Sequence, residues 1–557
     1  MSDFEKNNLL LQKYHWDDRS KLNRNTKTIR AIVDEILNQL SPQLNKIHGV
    51  NESQRYWDIV IGEWSFLFAQ VIFDRWSSVT SLLNLEIDIE VISKIGIPNN
   101  SPIDTREFLT SATMSDEWNS NLFEEITHAI LKKDFEPLER NLKCINARKK
   151  ETKFSFKTGV KILVNQISGW KSKLGNEILI QNIYLKNIQL LKFSTIIRQI
   201  PYFETKVFLS DLVPNSKIGN IQMELTTLKD LADAELAAVV CKLLPKYFPQ
   251  IYLEQFASHK KKSLKVYQSR IPRLIATANS YSLNEEWKKW AAFACSNGSK
   301  LAILQHGGMY GANQYSLIQE YELMICDKFL TWGWEDPTNS KIMSSHPTKL
   351  MGLSPRKDRK SRTRITFIAF EMPLHSYWLA SMPVGPQVID SALSSLEFIN
   401  SLKNELLHLL KVRPYPTNYG LNAKASYEKL LLKEQILGGE DESFDHAISD
   451  SRIVVSNYNG TVYIQSMALN VPTVIFWDKE LWEINSRYAN IFQELHSARV
   501  LFYSAKECAD FVNSNYESIE DWWSTDEVRN SIRNFLKIFG NIDDNSLFAF
   551  AKQIVSI

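Results

Sequence analysis

Arg452-Ile-Val-Val-Ser-Asn-Tyr-Asn-Gly-Thr461-Val-Tyr-Ile-Gln-Ser-Met-Ala-Leu-Asn470-Val-Pro-Thr-Val-Ile-Phe-Trp477 places a β-branched run, a small polar turn, one short helical segment and a second β-rich run after Pro472. That pattern is a βαβ unit and commits this part of the chain to a parallel sheet. The loop after the first strand of such a unit delivers free backbone N–H groups at a helix N-terminus. Ser456, Asn459, Gly460 and Thr461 are residue types that let a phosphate approach those groups. The same Asn-Gly-Thr also reads as a turn and helix cap that binds nothing.

Working outward, Arg364-Ile-Thr-Phe-Ile-Ala-Phe370 opens the same sheet, Leu393 to Leu410 reads as a helix, and Lys411-Val-Arg-Pro-Tyr-Pro416 as a strand end. Arg413, flanked there by Pro414 and Pro416, is preorganised for a planar, charge-assisted contact with an anion. Gly438-Gly-Glu-Asp-Glu442 reads as an exposed loop. Arg356-Lys-Asp-Arg-Lys-Ser-Arg362, basic and without apolar residues, reads as a linker.

Before that linker a second alternation of elements implies another parallel sheet. Val207-Phe-Leu-Ser210, Arg273-Leu-Ile-Ala-Thr277 and Lys300-Leu-Ala-Ile-Leu304 read as strands, with helices expected over Asp230 to Leu244 and Leu283 to Cys295. Leu323 to Gly333 and Lys349-Leu-Met-Gly-Leu353 read as further short strands. Leu304-Gln-His-Gly-Gly-Met-Tyr-Gly311 follows a strand directly, at the carboxyl edge where open α/β sheets bind ligands. Gly307 and Gly308 allow close backbone approach. His306 is either a structural histidine or an acid–base group.

The first ~200 residues read as mostly helical. Asn25 to Leu40 carries Ile29, Ile32, Val33, Ile36 and Leu37 on one face, and Tyr56 to Trp76 is an aromatic-rich helix pattern. Tyr14-His-Trp-Asp-Asp-Arg19 and Gly62-Glu-Trp-Ser65 cluster aromatic and charged groups, which suits either the wall of a sugar groove or ties between helices. Arg140 to Lys161 is a basic stretch that reads as a solvated loop or groove lip, and Asp526 to Ile557 as helices that cross back. The expected layout is a helical region over 1–200, a first Rossmann-like domain over 201–355, a second over 364–540, and a C-terminal helix over 541–557.

Composition narrows the functional classes. Lys and Arg total 65 against 63 Asp and Glu, a formal charge of +2 over 557 residues, which supplies no global field for nucleic acid. The five cysteines (Cys144, Cys241, Cys295, Cys326, Cys508) are scattered and odd in number, so neither a zinc site nor a disulfide framework is indicated. No cofactor is expected. The N-terminus lacks a leader pattern and no apolar run is long enough to span a bilayer. A cytoplasmic protein is expected, with membrane contact at most peripheral to the inner membrane.

Two α/β domains with Gln305-His-Gly-Gly-Met-Tyr-Gly311 in one and Val412-Arg-Pro-Tyr-Pro416 and Ser456 to Trp482 in the other resemble the GT-B glycosyltransferase architecture. With Tyr14-His-Trp-Asp-Asp-Arg19 and Thr331-Trp-Gly-Trp334, the chain is more narrowly similar to a family of transferases from bacterial surface-polysaccharide clusters. It is more distantly similar to capsule-type transferases that use CMP-activated eight-carbon sugars and to polyol-phosphate transferases of teichoic-acid synthesis. Those relatives commonly carry His-Pro where Tyr415-Pro416 stands, and a glutamate where Gln465 stands.

The resemblance implies an α/β fold of two Rossmann-like domains facing across a cleft. It implies transfer of a sugar from a nucleotide-sugar donor, CMP-activated sugars included, to a surface-polysaccharide or lipopolysaccharide acceptor, free or lipid-linked. No DxD-type metal pair is evident, so leaving phosphate falls to Arg413 and the helix start at Gly460-Thr461, with Ser456, Asn459 and Gln465 beside them. His306 is the expected base, with Asp17, Asp18 or Glu63 as reserves. Gln305, Gly307, Gly308 and Arg19 are expected on the acceptor side. A polyol-phosphate transferase, a sugar-nucleotide epimerase and a catalytically silent nucleotide-sugar-binding subunit are the competing readings.

Overall fold

The computed structural model of the protein describes residues 13–85, 101–132, 177–202, 233–353, 362–438 and 444–557. The expected strand at Val207 to Ser210 and basic stretch Arg140 to Lys161 lie outside these residues, as do most of the Arg356 to Arg362 linker and of the Gly438 to Glu442 loop.

Two five-stranded parallel sheets organise the chain. The first is β1 (Ile178–Gln181), β2 (Leu274–Thr277), β3 (Lys300–Leu304), β4 (Lys328–Leu330) and β5 (Ile342–Met343), side by side in that order. The second contains β6 (Ile365–Ile368), β7 (Leu410–Arg413), β8 (Ile453–Ser456), β9 (Thr473–Phe476) and β10 (Leu501–Phe502), ordered β10-β9-β8-β6-β7. Strands such as Ile453-Val-Val-Ser and Thr473-Val-Ile-Phe are buried throughout, which is why they read as unbroken apolar runs rather than alternating ones. With the helical N-terminal region, this is the expected α/β, GT-B-like layout.

Each face of a sheet is covered. On the first sheet Ile178, Ile180, Leu274, Ala276, Ala302 and Leu304 pack with Phe193 and with Phe550, Ala551 and Ile554 of the C-terminal helix Ser546–Ser556. That helix is also pinned by Lys300 Nζ donating to the Ile557 carbonyl (2.7 Å) and Arg273 Nη2 to the Val555 carbonyl (3.1 Å). The opposite face, with Leu179, Ile275, Leu301 and Ile303, joins the large core built on the N-terminal helices.

Those helices span Arg19–His48 and Gln54–Leu83. The first buries a stripe from Leu22 through Ile29, Ile32, Val33, Ile36, Leu37 and Leu40 to Leu44, the 3–4 spacing of one helix face. The second is buried nearly all round from Tyr56 to Arg75, so it is a central helix wrapped by others. No helix among the described residues is long and apolar enough to cross a membrane.

Three local expectations are corrected. Lys349 to Leu353 is a turn, with Gly352 at φ 76° and the Leu350 and Met351 N–H groups bonded back to Pro347 and Thr348; the short edge strand is Ile342–Met343 instead. Leu323 to Ile325 ends the Leu317–Ile325 helix, and the strand begins only at Lys328. The Leu393 to Leu410 helix starts earlier and stops earlier, at Val388–Ser401, because Leu402 turns to extended backbone and Leu410 already lies in β7.

Candidate functional site

In the second sheet the chain runs from β6 outward to β7, then returns to β8 on the other side of β6. This is a topological switch point, and crevices outside the carboxyl ends of such strands bind ligands. Ala369 to Glu371 leave β6 there and Ser456 to Gly460 leave β8. The helix that follows, Thr461–Ala468, has Gly460 as its N-cap and no side-chain cap bond.

The Gln305 to Gly311 turn of the first sheet meets this loop directly. The Gly308 N–H donates to Thr461 Oγ1 (3.2 Å), and Asn459 Nδ2 donates to Asn313 Oδ1 (3.0 Å) while its own oxygen accepts from the Tyr463 hydroxyl (2.7 Å). Main-chain bonds continue the seam, from Asn485 N–H to the Ala312 carbonyl (2.8 Å) and from Gln314 N–H to the Glu483 carbonyl (3.0 Å). The carboxyl edges of the two sheets therefore face each other and touch at Gly308 and Gly460.

His306 stands on that turn with 20% of its side chain exposed, its Nδ1 3.6 Å from Oε1 of the fully buried Glu322. The Tyr310 hydroxyl lies 3.3 Å from each imidazole nitrogen and donates to Glu322 Oε1 at 2.9 Å, and the Tyr281 hydroxyl donates to the same oxygen. Burial pushes the Glu322 carboxyl up to about 8. Burial, and then the charge of Lys349, push His306 down to about 4. At neutral pH the carboxyl keeps its proton and the imidazole is the free base.

At the second sheet's edge Glu371 is 5% exposed and accepts from the Tyr419 N–H (3.2 Å). Tyr419 pairs with the exposed Tyr415 ring at 5.7 Å. The Arg413 guanidinium, at the end of β7, lies over the Phe444 ring (5.8 Å). Ser456 is buried, with no partner for its hydroxyl among the described residues. Gln465 Nε2 donates to Asp445 (2.7 Å), and its Oε1 is buried with no partner among the described residues.

Several expected site residues are held in structural contacts. Gln305 is buried: Oε1 accepts from the Trp332 N–H (2.9 Å) and Trp334 Nε1 (2.7 Å), and Nε2 donates to the Gly307 carbonyl (2.7 Å). It pins the Thr331-Trp-Gly-Trp334 segment. Arg19 is clamped by Glu483 (2.7 and 2.8 Å), Gln387 (2.8 Å), Tyr315 (3.1 Å) and two carbonyls, so it ties the N-terminal helix to both halves. Asp18 is the exposed N-cap of that helix. Asp17 accepts from the Tyr14 N–H and from Gln387. Glu63 is buried against Lys288 (2.9 Å) and the Leu283 N–H. Trp16 and Trp64 are core residues stacked on Phe73 and Phe68, so these aromatics tie helices and wall no groove. Gly307 has room for a methyl, which would meet Tyr310 at an ordinary 3.5 Å. Gly308 has none.

Comparison with family models adds one decisive observation: the model of the LIC12162 family transferases matches residues 1–553. The chain belongs to the LIC12162 transferase family. Comparison with curated proteins gives no match. Solved structures with a similar chain path include MurG of Acinetobacter baumannii (11% identity over 72% of this chain and 96% of that one, TM-score 0.32) and the calicheamicin glycosyltransferase CalG4 (11%, 54% and 77%, 0.31). A protein of Listeria monocytogenes assigned as a UDP-N-acetylglucosamine 2-epimerase is similar at the same level (9%, 54% and 76%, 0.34). TM-scores this low do not carry the assignment, which rests on the family match.

In this LIC12162 family transferase the group that sequence reasoning missed is Glu322. A signal was present: it lies four residues after Ile318 and three before Ile325, on the inward side of a helix that also buries Leu317 and Tyr321. An acid there is not a solvated surface charge. Its folded pKa stands above the ordinary value of 4.5, so between pH ~4.5 and 8 the folded protein holds a proton that the unfolded chain has released. This contribution therefore weakens as pH rises through that window, by on the order of 1 kcal/mol per pH unit. Glu322→Gln, which stays neutral, is expected to flatten the fall in melting temperature between about pH 5 and 8. An equally steep fall in the variant would place the titrating group elsewhere.

Proposed function

We propose that this LIC12162 family transferase moves a sugar from a nucleotide-sugar donor, CMP-activated sugars included, to a surface-polysaccharide or lipopolysaccharide acceptor. The observation that carries the reading is the meeting of the two carboxyl edges, which sets the only titratable imidazole of the Gln305 to Gly311 turn beside the loop at the second sheet's switch point.

The donor nucleotide lies on the second domain, over 364–540. The exposed Tyr415 ring offers a stacking face, and Glu371 a carboxylate for a sugar diol. Arg413 and the uncapped start of the Thr461–Ala468 helix take the leaving phosphate, so that its developing charge is stabilised without a metal. The acceptor enters from the first domain, over 201–355, and neutral His306 takes the proton of its hydroxyl. Both substrates are reached from the cytoplasm, with at most peripheral contact to the inner membrane.

Thermal-shift measurements with CMP, UDP, GDP, ADP and dTDP test the donor side. One of these is expected to raise the melting temperature of the wild type, since a ligand that binds only the folded state stabilises it. Arg413→Ala is expected to weaken that nucleotide by roughly tenfold or more, the worth of one charge-assisted contact, with the fold intact because the side chain sits on a strand end. Unchanged affinity in the folded variant would remove Arg413 from the donor site.

A further inference from the structure

The turn after β5 holds a cation that no carboxylate among the described residues contacts. Lys349 is half-buried, and among the described residues its ammonium makes neither a hydrogen bond nor an ion pair; it lies over the Tyr184 ring, 5.5 Å away. The backbone that presents it is fixed. Leu350 and Met351 bond back to Pro347 and Thr348, and Gly352 holds the turn at φ 76°, a conformation that L side chains rarely adopt, against the Gln189 amide.

The surroundings of Lys349 belong to the carboxyl edge of the first sheet. Asn182 and Tyr184, just after β1, both stand in the left-handed region at φ 48° and 63°, a conformation that non-glycine residues hold only where their neighbours enforce it. It brings Asn182 onto Asn279, after β2, whose Nδ2 donates to the Tyr184 hydroxyl (2.7 Å). A row of amide and hydroxyl groups thus ends at Lys349, and the positive field of that lysine reaches His306.

The carboxylate whose field reaches Lys349 from the other half is already occupied. Asp445 accepts from Gln465 Nε2 (2.7 Å) and pairs with Lys186 (3.0 Å). A desolvated ammonium without a counter-charge is costly, and burial holds the Lys349 pKa below its ordinary value. An arriving anion would repay that cost.

We infer that Lys349 is an anion-binding residue of the active site, taking a phosphate or carboxylate oxygen of the substrate on which His306 acts. The inference rests on the transferase reading for the role of that substrate, but not for the binding itself. It also couples the two residues. Burial is the larger cause of His306's weak basicity and the Lys349 charge the second, so an anion that neutralises Lys349 relieves that second part and strengthens the base where it is used.

The test uses inorganic pyrophosphate and glucuronate as separate probes, titrated into the full-length wild type, Lys349→Met and Lys349→Arg while the His306 ring-proton resonance is followed by NMR. Both probes are small, so the result does not depend on finding the natural donor. Lys349→Met is expected to weaken at least one probe by about tenfold or more, and Lys349→Arg to restore most of it. The larger loss with pyrophosphate assigns the site to a phosphate, and the larger loss with glucuronate to a carboxylate. Equal binding of both probes by wild type and Lys349→Met, no binding of either by wild type, or a Lys349→Arg protein as weak as Lys349→Met overturns the inference. None of these results bears on the loss of nucleotide in Arg413→Ala, so the failure of this inference is distinguishable from the failure of the transferase reading.

Discussion

His306→Ala is expected to lower the rate of transfer by roughly two to four orders of magnitude, the usual range for a general base, while the melting temperature and donor affinity stay close to wild type. The reason for the separation lies in the local bonding. The groups around the imidazole do not depend on it, because Tyr310 and Tyr281 both donate to Glu322 whether or not the ring is present. Its own contacts are long, 3.3 Å to the Tyr310 hydroxyl and 3.6 Å to Glu322. Removing it therefore orphans no hydrogen bond that holds the turn. The groups proposed to hold the donor, moreover, sit on the other sheet. A destabilised variant whose rate falls only with its folded fraction would make His306 a structural residue, and a stable variant with near-normal rate would remove it from the mechanism.

Gly308→Ala is expected to be as damaging, by a different route. A Cβ at residue 308 would fall inside van der Waals contact with the backbone carbon and oxygen of Gly460 and lie 2.8 Å from Ile464 Cδ1. Backbone on the opposing loop cannot swing aside as the tip of a side chain can, so the two carboxyl edges must part. Overpacking of this kind typically costs about 1–3 kcal/mol. A displacement of even ~1 Å between the reacting groups can lower turnover by about 100-fold. Gly307→Ala is the control, since its methyl meets Tyr310 at 3.5 Å and should leave both melting temperature and rate nearly unchanged. Equal behaviour of the two variants, measured by thermal melting and by transfer rate, would show that the contact at Gly460 does not set the spacing.

These glycines also show what the sequence could and could not reveal. Their place after a strand was legible, and so was the turn. The purpose of Gly308 was not, because what it avoids is a backbone atom more than 150 residues away, rather than an approaching acceptor. Long-range partners also decide how the other residues sit. Arg19 in an aromatic, charged cluster suits a sugar groove until Glu483 and Gln387 are seen around its guanidinium. Glu63 suits a reserve base until Lys288 is found against it in the core. Asp18 is a local matter: it caps its own helix, as its position before Arg19–His48 allows.

Elements carried by periodicity and burial were readable. The β8, helix, β9 unit, β3 and the two long N-terminal helices fall where the apolar pattern puts them. Errors fell at marginal apolar stretches. Lys349-Leu-Met-Gly-Leu353 has the composition of a short strand, but Gly352 bends it into the turn that presents Lys349. Glu322 was hidden because a helix between two strands reads as covering structure, and only its burial beside Tyr310 marks it as part of the site.

The proposed donor nucleotide binds at the carboxyl edge of the second sheet, facing His306. Hydrogen-exchange mass spectrometry with and without the nucleotide that gives the largest thermal shift tests it most directly, because protection reports where the ligand orders the backbone. Protection is predicted over 369–371, 413–419 and 456–465, with a smaller effect at 305–311 on the opposing turn. No binding by any of the five nucleotides, or protection confined to the first sheet and the N-terminal helices, would contradict it.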